Sequence, residues 1–307
     1  MFQKNVALKN HTSFKIGGPA KYFFEAKNPK DQIEAIKEAK QKKIPIFVLG
    51  GGTKLLIGDQ GFDGLVVKIN SSKFKIQKNK IISEAGVNLT QLVIASIKAG
   101  LTGLEWAIEI PGTIGGAVHG NCGAFGSSLS NTIKTITAFN PDSFKTKIYS
   151  NKQCRFGYRE SVFSAKDGQN KKLIILSAEL RLKKGDPEKS LTIIKKYLQR
   201  RRERISAYPS AGSIFKNLKL KSLEQKIQKL IPEDKIKGGM VPSGYFIEQC
   251  GLKGKIIGGA KISDQQANII VNFNKAEAKN VSALIDLAKK RVKKKFGITL
   301  KEEVILV

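Results

Sequence analysis

Histidine and cysteine are scarce: the 307 residues include only His11 and His119, and only Cys122, Cys154 and Cys250. Chemistry that needs a histidine base or several histidine ligands has almost nowhere to reside. An odd number of cysteines with no Cys-x-x-Cys spacing argues against a disulfide framework and against a zinc site, so no metal is expected. Long apolar runs are missing too. None approaches the roughly 18 residues that span a bilayer, and Met1-Phe2-Gln3-Lys4-Asn5 leads into no signal-peptide core, so the cytoplasm is the expected compartment and membrane insertion is not expected. Acidic residues number 25 against 55 lysines and arginines, a formal charge of +30 that fits an anionic partner. The lysines are spread along the whole chain, however. The densest clusters, Arg200-Arg201-Arg202-Glu203-Arg204 and Lys289-Lys290-Arg291-Val292-Lys293-Lys294-Lys295, lack the interleaved aromatics that stack bases. They read as solvated helix faces, and no specific nucleic acid is expected.

Glycine, by contrast, is concentrated where it matters. Six glycines fall within Pro111-Gly112-Thr113-Ile114-Gly115-Gly116-Ala117-Val118-His119-Gly120-Asn121-Cys122-Gly123-Ala124-Phe125-Gly126. Such a loop leaves main-chain amides able to approach a phosphate closely. A second stretch, Leu49-Gly50-Gly51-Gly52-Thr53-Lys54, follows the apolar run Ile44 to Val48 and reads as a strand leading into a glycine turn. Two amide-rich loops suggest a pyrophosphate gripped from two sides. The alternative is a pair of tight turns at strand ends. A dinucleotide fingerprint fails because Leu55 stands where its third glycine belongs, and a Walker loop fails because Lys54 follows Thr53 and precedes Leu55.

The chain is long enough for two or three domains with sizeable cores. Asn28 and Pro29 open a helix whose Ile33, Ile36 and Ala39 share a face before Ile44 begins a strand. Leu65 to Ile69 reads as another strand, and Phe74 to Ser83 as two short ones. Asn88 caps a helix through Ala99, stopped by Gly100. Strand-like runs between Asn131 and Leu182 suggest a mixed, partly antiparallel sheet. A basic helix runs from Leu191 to Ile205, and an amphipathic one from Asn280 to Lys295 precedes Gly297 and a terminal strand Glu303 to Val307.

Three polar constellations lie outside the glycine loops: Tyr158-Arg159-Glu160-Ser161, Ser213-Ile214-Phe215-Lys216-Asn217, and Glu302-Glu303. Arginine suits a carboxylate and lysine a diphosphate, although each residue read alone also fits a surface position or a cap. Taken in order, the glycine loops, Cys154-x-Phe156-x-Tyr158-Arg159-x-Ser161, Ala211-Gly212-Ser213-x-Phe215-Lys216-Asn217 and Glu303-Val304 form a recognisable series. From His11-Thr12-Ser13-Phe14-Lys15-Ile16-Gly17-Gly18 to its end, the chain resembles the UDP-N-acetylenolpyruvoylglucosamine reductase family, in its shorter subtype.

The resemblance implies an α+β fold of the vanillyl-alcohol-oxidase type. It would have an FAD-binding subdomain over residues 1–70, joined by the C-terminal strand 299–307, a second over 71–205, and a substrate-binding domain over 206–298. It implies noncovalent FAD held by Leu49, Gly50, Gly51, Gly52, Thr53, Pro111, Gly112, Thr113, Gly115, Gly116, Asn121, Gly123 and Ala124. It also implies NADPH as reductant and UDP-N-acetylglucosamine enolpyruvate as substrate, acted on by a monomer. Hydride would pass from flavin N5 to the enolpyruvyl methylene carbon, and Ser213 would protonate C2. Arg159 would polarise the carboxylate, Glu303 would complete the site, and Tyr158, Lys216 and Asn217 would contact the substrate. The chain departs from the family pattern at Lys54, where asparagine is usual, at Gln265-Gln266-Ala267-Asn268, and at Arg204-Ile205-Ser206-Ala207. At Lys54 any side-chain contact made there is expected to be lost while the amides remain, and the other two departures are expected to touch the third domain rather than the catalytic positions. The nearest alternatives are another FAD oxidoreductase of the same fold, acting on a hydroxy acid or sugar, and a basic nucleic-acid-binding protein.

Overall fold

A computed structural model describes residues 2–164, 173–203 and 206–307. The chain divides into two compact units, one of Met1–Val6, Ala20–Gly51 and Asp63–Arg202, the other of Ala7–Pro19, Gly52–Phe62 and Glu203–Val307.

The first unit is built on two sheets. One orders its strands as Gln3–Ala7, Pro19–Ala26, Phe62–Ile69 and Ile46–Leu49. Against it lies the helix Pro29–Gln41, started by Asn28, whose side chain accepts from the Asp31 amide. Its buried face is Gln32, Ala35, Ile36 and Ala39, and Ile33 is only partly covered. The following strand opens at Ile46 rather than Ile44. The other sheet runs Lys145–Ser150, Ile133–Asn140, Ile174–Arg181, Lys80–Glu84 and Phe74–Gln77, and every pairing in it is antiparallel. The expected mixed sheet is therefore antiparallel throughout. Helix Leu89–Lys98 starts where Asn88 accepts from the Gln91 amide, and Gly100, at φ +68, lies just beyond its end.

The basic helix spans Pro187–Arg202, four residues earlier at its start than expected, because Asp186 accepts from the Glu188 amide at 2.9 Å and Pro187 takes the first turn. Its expected end at Arg204 and Ile205 lies outside the described residues. Glu188 in the first turn and Arg200, Arg201 and Arg202 in the last match the helix dipole. Not all of those arginines are simply solvated. Arg201 stacks 5.3 Å over the Phe125 ring, which in turn stacks on Tyr197.

The second unit centres on the helix Ala278–Phe296, which buries Val281, Leu284, Ile285, Ala288 and Val292 and ends at Gly297 in the left-handed region. Its first turn is held by Asp59, whose carboxylate accepts from the amides of Ala278 at 2.7 Å and Lys279 at 3.1 Å. A four-stranded sheet orders Ser210–Ser213, Ile269–Asn272, Ala260–Ile262 and Ile256–Ile257, all antiparallel. The terminal strand is short: Ile305–Leu306 pairs in parallel with Leu55–Leu56. N-terminal segments belong to this unit through specific bonds, including Ser13 Oγ to the Ser210 carbonyl at 2.7 Å and Asn272 Nδ2 to the Phe14 carbonyl at 3.2 Å.

Candidate active site

In the first unit the two glycine loops touch main chain to main chain. A Cβ on Gly51 would lie 2.7 Å from Gly112 Cα, and one on Gly50 would lie 2.8 Å from Thr113 Oγ1. Only glycine allows that approach. The first loop leaves the parallel pairing of Ile46–Leu49 with Leu65–Lys68, and the Lys68 ammonium donates to the Gly50 carbonyl. Burial lowers the Lys68 pKa, with Glu25 acting in the opposite direction. No sequence motif marks this lysine. Among the described residues, the amides of Gly50 and Gly51 donate to no protein acceptor.

The second loop is more heavily committed to the protein. Ile114 N donates to Val87 O at 2.9 Å, Gly115 N to Ala85 O at 2.7 Å, and Gly116 N to the Thr113 hydroxyl at 3.4 Å. Gly115 is a packing glycine, since its Cβ would come within 2.9 Å of Ala85 Cβ. Asn121, buried and at φ +40, braces its surroundings: Nδ2 donates to Gly157 O at 2.8 Å and Oδ1 accepts from Ser130 N at 3.1 Å. Gly123 and Ala124 pair with Ser128 and Ser127 in a short hairpin. His119 ends the short helix Ile114–His119, and burial lowers its pKa.

Arg159 is pinned to this loop. Its backbone is left-handed at φ +57, its guanidinium donates to the Gly123 carbonyl at 2.6 Å, and it lies 5.2 Å over the Tyr158 ring. A guanidinium carries five N–H donors in a fixed fork, a geometry matched to a carboxylate. Two residues on, the Ser161 hydroxyl donates to His119 O at 2.7 Å, so the segment is tied to the end of the glycine-loop helix. Cys154 beneath it is a structural thiol, pushed up to about 11 by burial.

The second unit brings Ser213 and Glu303 onto adjoining backbone. Glu303 N donates to Ile214 O at 2.7 Å, and Phe215 bridges Glu302 in antiparallel fashion. Lys54 joins the pair: its ammonium lies 2.9 Å from Glu303 Oε1 and donates to Ser213 O at 2.7 Å. The adjacent glutamates are thereby divided, because Glu302 pairs with Lys289 at 2.7 Å. Lys216 and Asn217 hold the next turn through Ser243, whose hydroxyl donates to Lys216 O and whose amide donates to Asn217 Oδ1.

Asn268 corrects an expectation. It is buried directly behind this segment, with its carbonyl accepting from Ile214 N at 2.8 Å. Its side chain both accepts from Phe215 N and donates to Phe215 O, each at 2.9 Å. Two of the departures from the family pattern, at Lys54 and Asn268, therefore meet the backbone that carries Ser213.

Residues 20–143 match the FAD-binding domain model, and residues 203–307 match the C-terminal domain model of UDP-N-acetylenolpyruvoylglucosamine reductase. The chain is 36% identical over 298 residues to the reductase of that name from Solibacter usitatus, covering 97% of this chain and 94% of the relative. It is 37% identical to the one from Caldanaerobacter subterraneus subsp. tengcongensis, covering 99% and 92%. The chain belongs to the UDP-N-acetylenolpyruvoylglucosamine reductase family. A crystal structure of the family's enzyme from Thermus caldophilus superposes with a TM-score of 0.78 at 27% identity, covering 100% of this chain and 99% of that one. The fold is accordingly the α+β architecture of that FAD-dependent oxidoreductase. The glycine loops fit that cofactor, since their close approach is one a Cβ would block and, among the described residues, the amides of Gly50 and Gly51 donate to no protein acceptor. Among the described residues no helix is long and apolar enough to cross a membrane.

Proposed function

We propose that the chain reduces UDP-N-acetylglucosamine enolpyruvate to UDP-N-acetylmuramate with NADPH, a step in peptidoglycan precursor synthesis, acting as a cytoplasmic monomer. The observation that carries the reading is the junction of Ser213 and Glu303 across the Glu303 N to Ile214 O bond of 2.7 Å, within the domain that matches the reductase. FAD would be held noncovalently by Leu49 to Thr53, Pro111 to Thr113, Gly115, Gly116, Asn121, Gly123 and Ala124. When bound, it supplies hydride transfer from NADPH to the enolpyruvyl methylene carbon.

The remaining chemistry belongs to the side chains. Addition of hydride to one alkene carbon leaves negative charge on C2 and its carboxylate, and Arg159 answers that charge with a bidentate fork. Ser213 then gives a proton to C2. A serine hydroxyl is a weak acid in water, so Glu303 acts by holding the proton network around it. Lys216 neutralises the substrate diphosphate, with Tyr158 and Asn217 as further contacts.

An absorbance spectrum with acid precipitation, followed by anaerobic stopped flow, tests this. Released yellow flavin, bleaching by NADPH and reoxidation by the enolpyruvyl substrate are expected. Colour retained in the acid pellet defeats the noncovalent assignment. A reduced flavin that oxygen reoxidises and the enolpyruvyl substrate does not would assign the chain to a different oxidase chemistry.

A further inference from the structure

Lys54 stands outside every role given to the site so far, yet its placement is tightly determined. The Ile305 amide donates to its carbonyl at 2.9 Å, just where Leu55–Leu56 begin pairing with Ile305–Leu306. From that anchor the ammonium makes two contacts at once, 2.9 Å to Glu303 Oε1 and 2.7 Å to Ser213 O. The residue before the serine is Gly212, left-handed at φ +66, and a Cβ there would come to 3.7 Å of the same Nζ. One cation thus closes a ring through Ser213, Ile214 and Glu303.

We propose that Lys54 is the positioning residue of the protonation step, fixing the Glu303 carboxylate relative to Ser213, an inference that rests on the reading of those two residues given above. The ammonium has three donors, and two are used here, both to groups flanking the proton donor. The Glu303 side chain is 11% exposed and that of Lys54 is 36% exposed, so the contact is partly sheltered from water and the lysine stem is not free to wander. Ion pairs that retain access to solvent contribute little to folding. Misplacing reacting groups by about 1 Å, in contrast, can cost on the order of 100-fold in rate. Loss of Lys54 should consequently appear in one half-reaction and hardly in stability.

The test compares the FAD-loaded parent, Lys54→Met, Glu303→Gln and the double variant by anaerobic stopped flow. Lys54→Met is expected to slow flavin reoxidation by UDP-N-acetylglucosamine enolpyruvate by roughly 100-fold. Bleaching by NADPH should stay within about twofold of the parent, and the melting temperature within about 2–4 °C. In the Glu303→Gln background the same substitution should add almost nothing, because the residue it positions is already lost. Independently of activity, a water-soluble carbodiimide applied to the parent should join the Lys54 amine to the Glu303 carboxyl as an amide, with loss of water, identifiable by peptide mass spectrometry. Reoxidation of Lys54→Met at the parent rate, full additivity of the two substitutions, or absence of that cross-linked peptide overturns the inference while leaving the functional reading intact. A parent flavin that the enolpyruvyl substrate cannot reoxidise overturns the functional reading, and this inference with it.

Discussion

An alanine at position 51 would place its Cβ 2.7 Å from Gly112 Cα and 3.3 Å from the Gly112 carbonyl carbon. Carbon atoms pack at about 3.5–4.0 Å, so one of the two loops must move by roughly 1 Å. Neither neighbour is the end of a flexible side chain. Gly51 does not adopt the left-handed backbone, so the penalty comes from the contact alone. Forcing extra carbon into a packed site costs about 1–3 kcal/mol, and each 1.4 kcal/mol is about tenfold in an equilibrium constant. If the loops hold FAD in their native spacing, Gly51→Ala should raise the FAD dissociation constant about 5- to 150-fold. Titration of apoprotein with FAD, read by quenching of flavin fluorescence, measures it, with apoprotein melting as the companion observable. Gly126→Ala provides the comparison, because its Cβ would meet nothing within 4 Å and only its φ of +82 is disfavoured. It should lower the melting temperature more than the FAD affinity. Parent-like FAD affinity in Gly51→Ala, together with a lowered melting temperature, would reduce the loops to tight turns and refute the reasoning.

Ser213→Ala should spare flavin bleaching by NADPH and slow reoxidation by the enolpyruvyl substrate by at least about 10²-fold; equal slowing of both half-reactions in stopped flow would remove the serine from proton donation. Lys216→Ala should raise the Michaelis constant for the UDP-linked substrate far more than it affects NADPH oxidation, and added salt should weaken parent substrate binding in the same direction. Cys154, whose thiol burial pushes up to about 11, should resist iodoacetamide at pH 8 in the folded protein and react once the chain is unfolded, as peptide mapping would reveal. Glu105 should shape acid stability. Burial opposes its charge, but the Thr102 and Ser190 hydroxyls, with the Gly103 amide, together hold the carboxyl below its ordinary 4.5. That stabilisation is complete above the unfolded value and is lost as pH falls through the lower folded value, so Glu105→Gln should flatten the melting-temperature profile below pH 4.5.

Local signals in the chain carried the elements well. Asn28 and Asn88 cap the helices they were expected to cap, because a short side-chain oxygen reaching an amide three residues on needs no tertiary context. The glycine loops were visible for a similar reason, since density of glycine reports close backbone approach. What that density could not disclose was the direction of each amide. The amides of Ile114 and Gly115 turn inward to Val87 and Ala85, while those of Gly50 and Gly51 do not, and the difference lies in a turn more than twenty residues away, just after the strand Lys80–Glu84. The grouping of Ala7–Pro19 and Gly52–Phe62 with the C-terminal unit was equally hidden, because it depends on bonds such as Ser13 to Ser210 and Asp59 to Ala278.

The departures from the family pattern show why residue-by-residue likeness has a limit. Lys54 and Asn268 lie in unrelated parts of the chain, and neither read alone points to the other. In the fold they press on the same few peptide groups, one from the Glu303 side and one from behind Phe215. A segment that presents a proton donor has to keep its backbone fixed while its hydroxyl remains usable, and polar bonds to main-chain atoms do that without covering the side chain. The carboxamide of Asn268 satisfies both the amide and the carbonyl of a buried residue, groups that would each cost about 1–3 kcal/mol if left without partners. Replacing it with an apolar residue would therefore require new partners for Phe215, not merely a new side chain of suitable volume. The identity at 268 is readable only together with the backbone it completes, just as the identity at 54 is readable only together with Glu303.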